Sequence, residues 1–593
     1  MFISSTLIAG DCTALSVVDE DALMLYHRYM NNLPRWDLEN IYPDSERFHS
    51  DIKKADQAGK VLVKLCKQKA PLRELIDAKD KADSLVINIT SYAEAILSTD
   101  TSNPSYMKAM SEAEAAAVRF QKAEDFFTRA VAARKDEFEC EELSDYQLYL
   151  KEILTESEHL MSSEEEALAY ELSLSGSSAW EKLMSSITAS SEFEGKTLTE
   201  LRLLASDKDR SIRKKAYESE IRLLKEHGIA LASSLNGVKG SVITLEKRRG
   251  WKTPLSRSLF ESRITEEILD SLLEAMRASL PSFQEYFRTK AKLLGLKKLD
   301  WYDLFAPVGR CEKTYSFEEA KDIIVSSYSN FSSEAGVFVR HAFEHGWIDA
   351  EPRKGKAGGA YDIFFPEARE SRVFCNFDGS YDSVATIAHE LGHAYHDSVV
   401  KDLPPSLSTY PMTLAETASI FGEMLVFDHI LENSSEEDAL AVIEAFVQSA
   451  SQVIVDIYSR FLFEREVFEK RKKGEIAPEK LSSMMLSAQR KAYGDALGLK
   501  HPYMWAVKSH YYSADFSFYN YPYAFGELFA LSLYSRHKEA GFSDIYKDVL
   551  LHTGMEDAAL CALRAGADIT NKEFWEKGLA QIFSYSERLS SWL

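Results

Sequence analysis

Residues that break secondary structure are scarce in this chain. Its 593 residues include 26 Gly and 15 Pro, about 7% together against a usual ~12%. So few interruptions over such a length predict long helices and argue against a many-turned all-β fold. Cysteine is sparse as well. Cys12, Cys66, Cys140, Cys311, Cys375 and Cys561 are scattered, with no Cys-x-x-Cys pair. That spacing supplies no disulfide frame and fits free thiols in a reducing compartment. Cys375 sits in an apolar run, where packing is the ordinary role of a thiol. No lysine–arginine block interrupts a net charge of −23, which argues against nucleic acid and anionic membrane surfaces as main partners. Unbroken apolar runs of about 18 residues are missing, so no membrane span is expected. The opening residues Met1 to Gly10 are apolar but lack a basic flank and lead into acidic residues, a poor match to a signal peptide. A cytoplasmic location is the expectation that follows, and nothing in the pattern sets an oligomeric state.

What is present fits a large helical protein. Hydrophobic residues make up 45% of the chain, enough at this length for a sizeable core and more than one subdomain. Apolar residues recur at three- and four-residue spacing from Asp80 to Leu97, Ser105 to Ala133 and Ser162 to Leu174, within a stretch from about Ala22 to Gly195 that reads as successive helices. The serine-rich piece Ser185 to Lys196 is the expected junction, dividing an N-terminal helical domain (1–195) from a second domain (196–593). A further helical block is expected from Thr199 to about Lys247, and another from Thr265 to Leu294. Strands are few: Asp300 to Phe305, Gly359 to Phe365 and Ser371 to Phe377 are the candidates, the last two as a hairpin.

The chemistry concentrates in Ala385-Thr386-Ile387-Ala388-His389-Glu390-Leu391-Gly392-His393-Ala394-Tyr395-His396. Residues four apart share one helix face, so His389 and His393 can converge on one metal ion. Glu390, on the shoulder of that face, is placed to deprotonate an attacking water. Ser380 or Asp382 can cap the helix. Gly392 weakens a helix by roughly 1 kcal/mol relative to Ala, a cost that makes sense if another segment crosses closely beside His393. His396 lacks the glycine and distal histidine of a longer three-histidine motif, so it reads as a supporting or structural residue. Catalytic zinc takes three protein ligands and keeps one position open. After Pro404, Pro405 and Pro411 a second helical run offers Glu416 as the third ligand and Glu423 as an orienting partner. Thr413-x-x-Glu416 is equally a capping box, so ligand and cap stay level on the residues alone.

These residues, taken with Ala415-Glu416-Thr417-Ala418-Ser419, resemble the M3 metallopeptidases of the thimet-oligopeptidase and oligoendopeptidase F type. Trp36-Asp37-Leu38-Glu39-Asn40-Ile41-Tyr42-Pro43 is similar to that family's N-terminal signature. Gly358-Gly359-Ala360-Tyr361 and Val373-Phe374-Cys375-Asn376-Phe377 are similar to its segment before the metal helix. The resemblance implies a mainly α, zincin-type metallopeptidase with a small β-sheet beside the active site and a deep central channel. It also implies one Zn²⁺ per chain, held by His389, His393 and Glu416, and short peptides as substrates. It assigns His510 and tyrosines of the stretch His510 to Gly526 to the developing oxyanion. A phenol suits that task because it can donate to charge that appears only in the transition state. Tyr523 and His510 are the first choices there, with Tyr519 and Tyr521 as weaker substrate contacts. Gly359, Ala360 and Asn376 are further candidates for substrate binding, because a free strand edge before the metal helix can hold an extended peptide. Two other readings remain: a zinc carboxypeptidase or amidase, and a non-catalytic helical peptide-binding protein.

Overall fold

The computed structural model describes residues 33–309 and 313–593. The reading of the first residues as a poor signal peptide, the start of helix near Ala22, Cys12 and Cys311 lie outside them. The described chain is mainly helical, with two small sheets. It divides into two compact units that no single cut of the chain separates. Of the described residues, one gathers 33–158, 313–433 and 536–567, and the other 159–309, 434–535 and 568–593.

In the first unit, helices α1 (Ser45–Gln68), α2 (Leu72–Thr99) and α3 (Pro104–Ala132) pack against one another. Each buries an apolar stripe. Leu62 and Cys66, Leu72, Leu75 and Ile76, and Phe120, Ala123 and Phe127 share one core. The first unit also holds α4 (Phe317–Phe331). A three-stranded sheet follows, with β1 (Ile348–Asp349), β2 (Tyr361–Phe365) and β3 (Glu370–Phe374) in the order β1-β3-β2. β2 and β3 pair antiparallel as the expected hairpin, with Tyr361 opposite Phe374. β1 pairs parallel to the other side of β3, Ile348 opposite Val373. The strand that precedes the metal helix is therefore central, and its edges are filled. The expectation of a free edge there is corrected: the open edge belongs to β2.

The segment Trp36 to Pro43 packs onto this sheet. Trp36 lies 5.6 Å from Phe374, ring centre to ring centre. Arg372 donates to the Asp37 carbonyl and to Asn40 Oδ1, each at 2.7 Å. β3 leads into α5 (Tyr381–Val400), and α6 (Met412–Glu432) and α7 (Phe542–His552) complete the surroundings of that helix.

The second unit holds the helices Gly228–Arg248, Glu266–Leu293, Pro478–Tyr493, Tyr521–Tyr534 and Lys572–Arg588. Two buried ion pairs tie it together, Lys239–Glu464 at 2.7 Å and Lys290–Glu444 at 2.6 Å. The stretch from Thr199 to Lys247, expected as one helical block, is broken at residues 204–209 and at His227. The junction near Gly195 is a two-residue hairpin, Glu192–Phe193 with Lys196–Thr197, turned through positive φ at Glu194 and Gly195. Asp300 to Phe305 is a helical turn (Trp301–Asp303) in place of the expected strand. Its carboxylates draw it that way: Asp303 accepts from the Asp300 backbone, closing a capping box. A continuous helical stretch, Glu436–Arg471, is long and apolar enough by composition to cross a membrane, which the sequence pattern did not predict. Of its most apolar window 56% is buried within the protein. A π-turn, Gln452–Asp456, interrupts it.

Candidate active site

Ser380 caps α5, accepting from the Ser383 backbone N–H at 3.2 Å. His389 and His393 then fall one turn apart, ring centres 5.1 Å from each other. α6 crosses antiparallel, with Ala418 and Ser419 against Gly392 and Gly422 against Ala388. A Cβ on Gly392 would lie 2.4 Å from the Ala418 carbonyl oxygen, so only glycine permits the approach. On the α6 side, the Tyr328 hydroxyl from α4 fills the hollow at Gly422 and donates to the Ala388 carbonyl at 2.8 Å.

The crossing brings Glu416 to the two imidazoles. Glu416 Oε2 lies 3.3 Å from His389 Nε2 and 3.6 Å from His393 Nε2. One donor atom from each of the three residues falls within 4.8 Å of the others, and this is the one such group found among the described residues. A tetrahedral ion with bonds of about 2.0–2.1 Å needs donors about 3.3 Å apart. The fit has a second support: His393 Nε2 is buried without a hydrogen-bond partner, as expected of a nitrogen whose partner is an ion. The capping alternative for Glu416 fails here, because Pro411 occupies the cap and makes no side-chain bond. Ser419 donates to Glu416 Oε2 at 2.8 Å. Burial alone would raise the Glu416 carboxyl, but the adjacent His389 and His393 imidazoles hold it well below the usual range.

Glu423 Oε2 sits 3.2 Å from His389 Nδ1. A carboxylate there holds a ring proton on Nδ1, so that a metal ion among His389, His393 and Glu416 could take the Nε2 lone pair. Glu390 is fully buried, and neither of its carboxylate oxygens closes a hydrogen bond of normal geometry. Burial pushes its carboxyl upward, against the pull of His389 and His393. An unengaged carboxylate with a raised affinity for protons is suited to general-base work.

His396 is directed elsewhere. Its Nε2 approaches Thr553 Oγ1 at 2.8 Å and the Leu550 carbonyl at 3.2 Å, and its ring stacks on Tyr410 at 4.1 Å. Burial lowers it to about 3, so it stays neutral. It ties α5 to α7 and makes no hydrogen bond to the three clustered residues. Buried Asp397 and half-buried Asp362 form a pair that sequence reasoning missed, since neither belongs to a motif. Ser371 and Tyr410 donate to Asp397 at 3.0 and 3.3 Å. Burial, then the Asp397 charge, push the Asp362 carboxyl well up.

Asn376 donates to the Ala357 and Gly359 carbonyls at 3.1 and 3.2 Å, holding the turn before β2. Gly359 takes φ +85° there, and Ala360 is buried. These residues thus shape the start of the open-edged strand.

In the second unit, His510, Tyr519 and Tyr523 form a ring cluster. His510 lies 4.8 Å from Tyr519 and 6.2 Å from Tyr523, ring centre to ring centre. Tyr521 does not join them, and its place among the substrate contacts is corrected. The helix Tyr521–Tyr534 begins at this residue, so positions two apart point to opposite sides. The Tyr521 hydroxyl is buried against Ser262 Oγ at 2.9 Å and the Ser258 carbonyl at 3.1 Å.

The model for Peptidase family M3 matches residues 203–581, and that for Oligopeptidase F matches residues 134–193. The chain is 25% identical to Oligopeptidase PepF of Bacillus subtilis over 575 residues, 91% of this chain and 84% of that protein. A solved structure from Chlamydophila abortus, described as a candidate peptidase, shares the fold with a TM-score of 0.80 at 22% identity, covering 94% of this chain and 98% of its own. Oligoendopeptidase F of Enterococcus faecium shares it with a TM-score of 0.65 at 18% identity, over 92% and 97%.

Proposed function

The chain belongs to peptidase family M3, and we propose on that footing that it is a zinc-dependent oligoendopeptidase cleaving internal bonds of short peptides, resident in the cytoplasm. The observation that carries the reading is the convergence of His389, His393 and Glu416 beside the unengaged Glu390 carboxylate. The three converging residues would hold Zn²⁺, with Glu423 orienting His389. Bound there, the ion would supply Lewis-acid polarisation of the scissile carbonyl and acidify water.

Glu390 takes the proton of the attacking water and returns it to the leaving amine, so one carboxylate serves both halves of the reaction. Its burial favours that exchange, because the neutral carboxylic acid is no penalty in an apolar setting. Tyr523 is assigned to the oxyanion as a phenol donor, on the strength of the M3 pattern in its stretch. Scattered free thiols at Cys66, Cys140, Cys375 and Cys561 suit the proposed compartment.

The test pairs metal analysis with an internally quenched peptide blocked at both ends. One zinc per chain and chelator-sensitive cleavage of that peptide are expected. Cleavage confined to peptides with free termini would replace the endopeptidase by an exopeptidase, and a metal-free, inert protein would defeat the enzyme.

A further inference from the structure

A buried row of side chains in the second unit ends on His510 and sets what that ring can offer. It starts at Asp456, the last residue of the π-turn; such turns collect at functional sites. Asp456 Oδ2 binds Arg460 Nη2 at 2.5 Å. Arg460 Nη1 in turn donates to Asn520 Oδ1 at 3.0 Å. Asp456, Arg460 and Asn520 are all buried.

A guanidinium only donates, so the Asn520 atom facing it is the carbonyl oxygen, and the amide's orientation is fixed. That same oxygen lies 3.3 Å from His510 Nδ1. A carbonyl oxygen only accepts, so Nδ1 carries the hydrogen. A further proton on Nε2 is opposed by burial and by the neighbouring Arg460 guanidinium, which bring the ring down to about 4. His510 is therefore neutral near pH 7, with its lone pair on Nε2, and Nε2 has no hydrogen-bond partner among the described residues. An oxyanion would meet that lone pair, whereas an N–H would be received by it.

We propose that His510 accepts a main-chain N–H of the bound peptide at Nε2, held in the accepting tautomer by Asp456, Arg460 and Asn520, and that it does not donate to the oxyanion. The identity of the ligand rests on the peptidase reading; the tautomer does not. This makes His510 a substrate-binding residue and leaves oxyanion donation to a phenol. It also names the chemical class that the position rejects: peptides in which the relevant N–H is replaced by an ester oxygen.

Two measurements test it. Nitrogen-15 NMR of histidine-labelled protein, with the His510 signals assigned by their loss in His510→Ala, is expected to show a neutral ring protonated at Nδ1 at pH 7 and still neutral at about pH 5. Asn520→Leu removes the acceptor and is expected to give mixed tautomers. An Nε2–H tautomer or an imidazolium at pH 7 would overturn the proposal. In the second measurement, an end-blocked peptide is compared with a series carrying one ester linkage each. At one position the ester is expected to raise KM about tenfold in the wild type, the worth of one hydrogen bond, and to add nothing in His510→Ala. No such position would overturn the N–H assignment. If no parent peptide is cleaved, the peptidase reading and the ligand assignment fall together, while the NMR result still decides the tautomer.

Discussion

His389 and His510 place the same side chain in opposite electrical surroundings. Three carboxylates, Glu416, Glu423 and Glu390, act on His389. The Arg460 guanidinium acts on His510. Each ring has an oxygen acceptor at Nδ1, Glu423 in one case and Asn520 in the other, so a ring that gives up its Nε2 lone pair keeps its proton on Nδ1. They differ in what Nε2 faces. At His389 it looks into a group of donors spaced for a cation; at His510 it is an isolated acceptor. The lesson is that the partner of Nδ1 selects the tautomer, and the charges around Nε2 select the ligand.

The largest expected effect tests the carboxylate-rich region. Glu390→Gln should lower kcat by about 10²–10⁴-fold while elemental analysis still finds one metal ion per chain. Near-normal turnover would remove Glu390 from the chemistry. Next, Tyr523→Phe should lower kcat by about 10²–10³-fold with little change in KM; a change confined to KM would make the phenol a binding contact only. Glu423→Gln should weaken metal affinity by about 10–100-fold, measured by competition with a chelator, whereas unchanged affinity would show that His389 needs no carboxylate at Nδ1. The smallest effect separates Tyr521 from its neighbours. Tyr521→Phe should lower the free energy of unfolding in urea by about 1 kcal/mol with turnover unaltered. A fall in turnover would return Tyr521 to the substrate side.

The two regions also differ in how far they could be read in advance. His389, Glu390 and His393 sit within one regular helix, where spacing alone fixes which residues converge. Gly392 was readable for a similar reason: a costly residue in a helix implies a neighbour, and Ala418 and Ser419 supply it. Glu416 stood level with a capping box until Pro411 was seen to cap without a side chain. The alternation of Tyr519, Tyr521 and Tyr523 misled, because it crosses from loop into helix, where the side-chain period changes. The free edge beside the metal helix was wrongly placed because β1 has only two residues and pairs in parallel from a distance, below what any local pattern shows. Asp300 to Phe305 is aromatic enough to mimic a strand, but its two aspartates close a turn.

The hollow at Gly392 acts as a calibre for whatever cation enters. With backbone against backbone, α5 and α6 have no slack to close further, and the Tyr328 hydroxyl wedged at Gly422 resists sliding. Glu416 Oε2 is thereby held 3.3 and 3.6 Å from the two imidazole nitrogens, near the spacing of donors around a tetrahedral ion with bonds of about 2 Å. A calcium-sized ion, which prefers six to eight oxygen donors, would meet two imidazole nitrogens and one carboxylate instead.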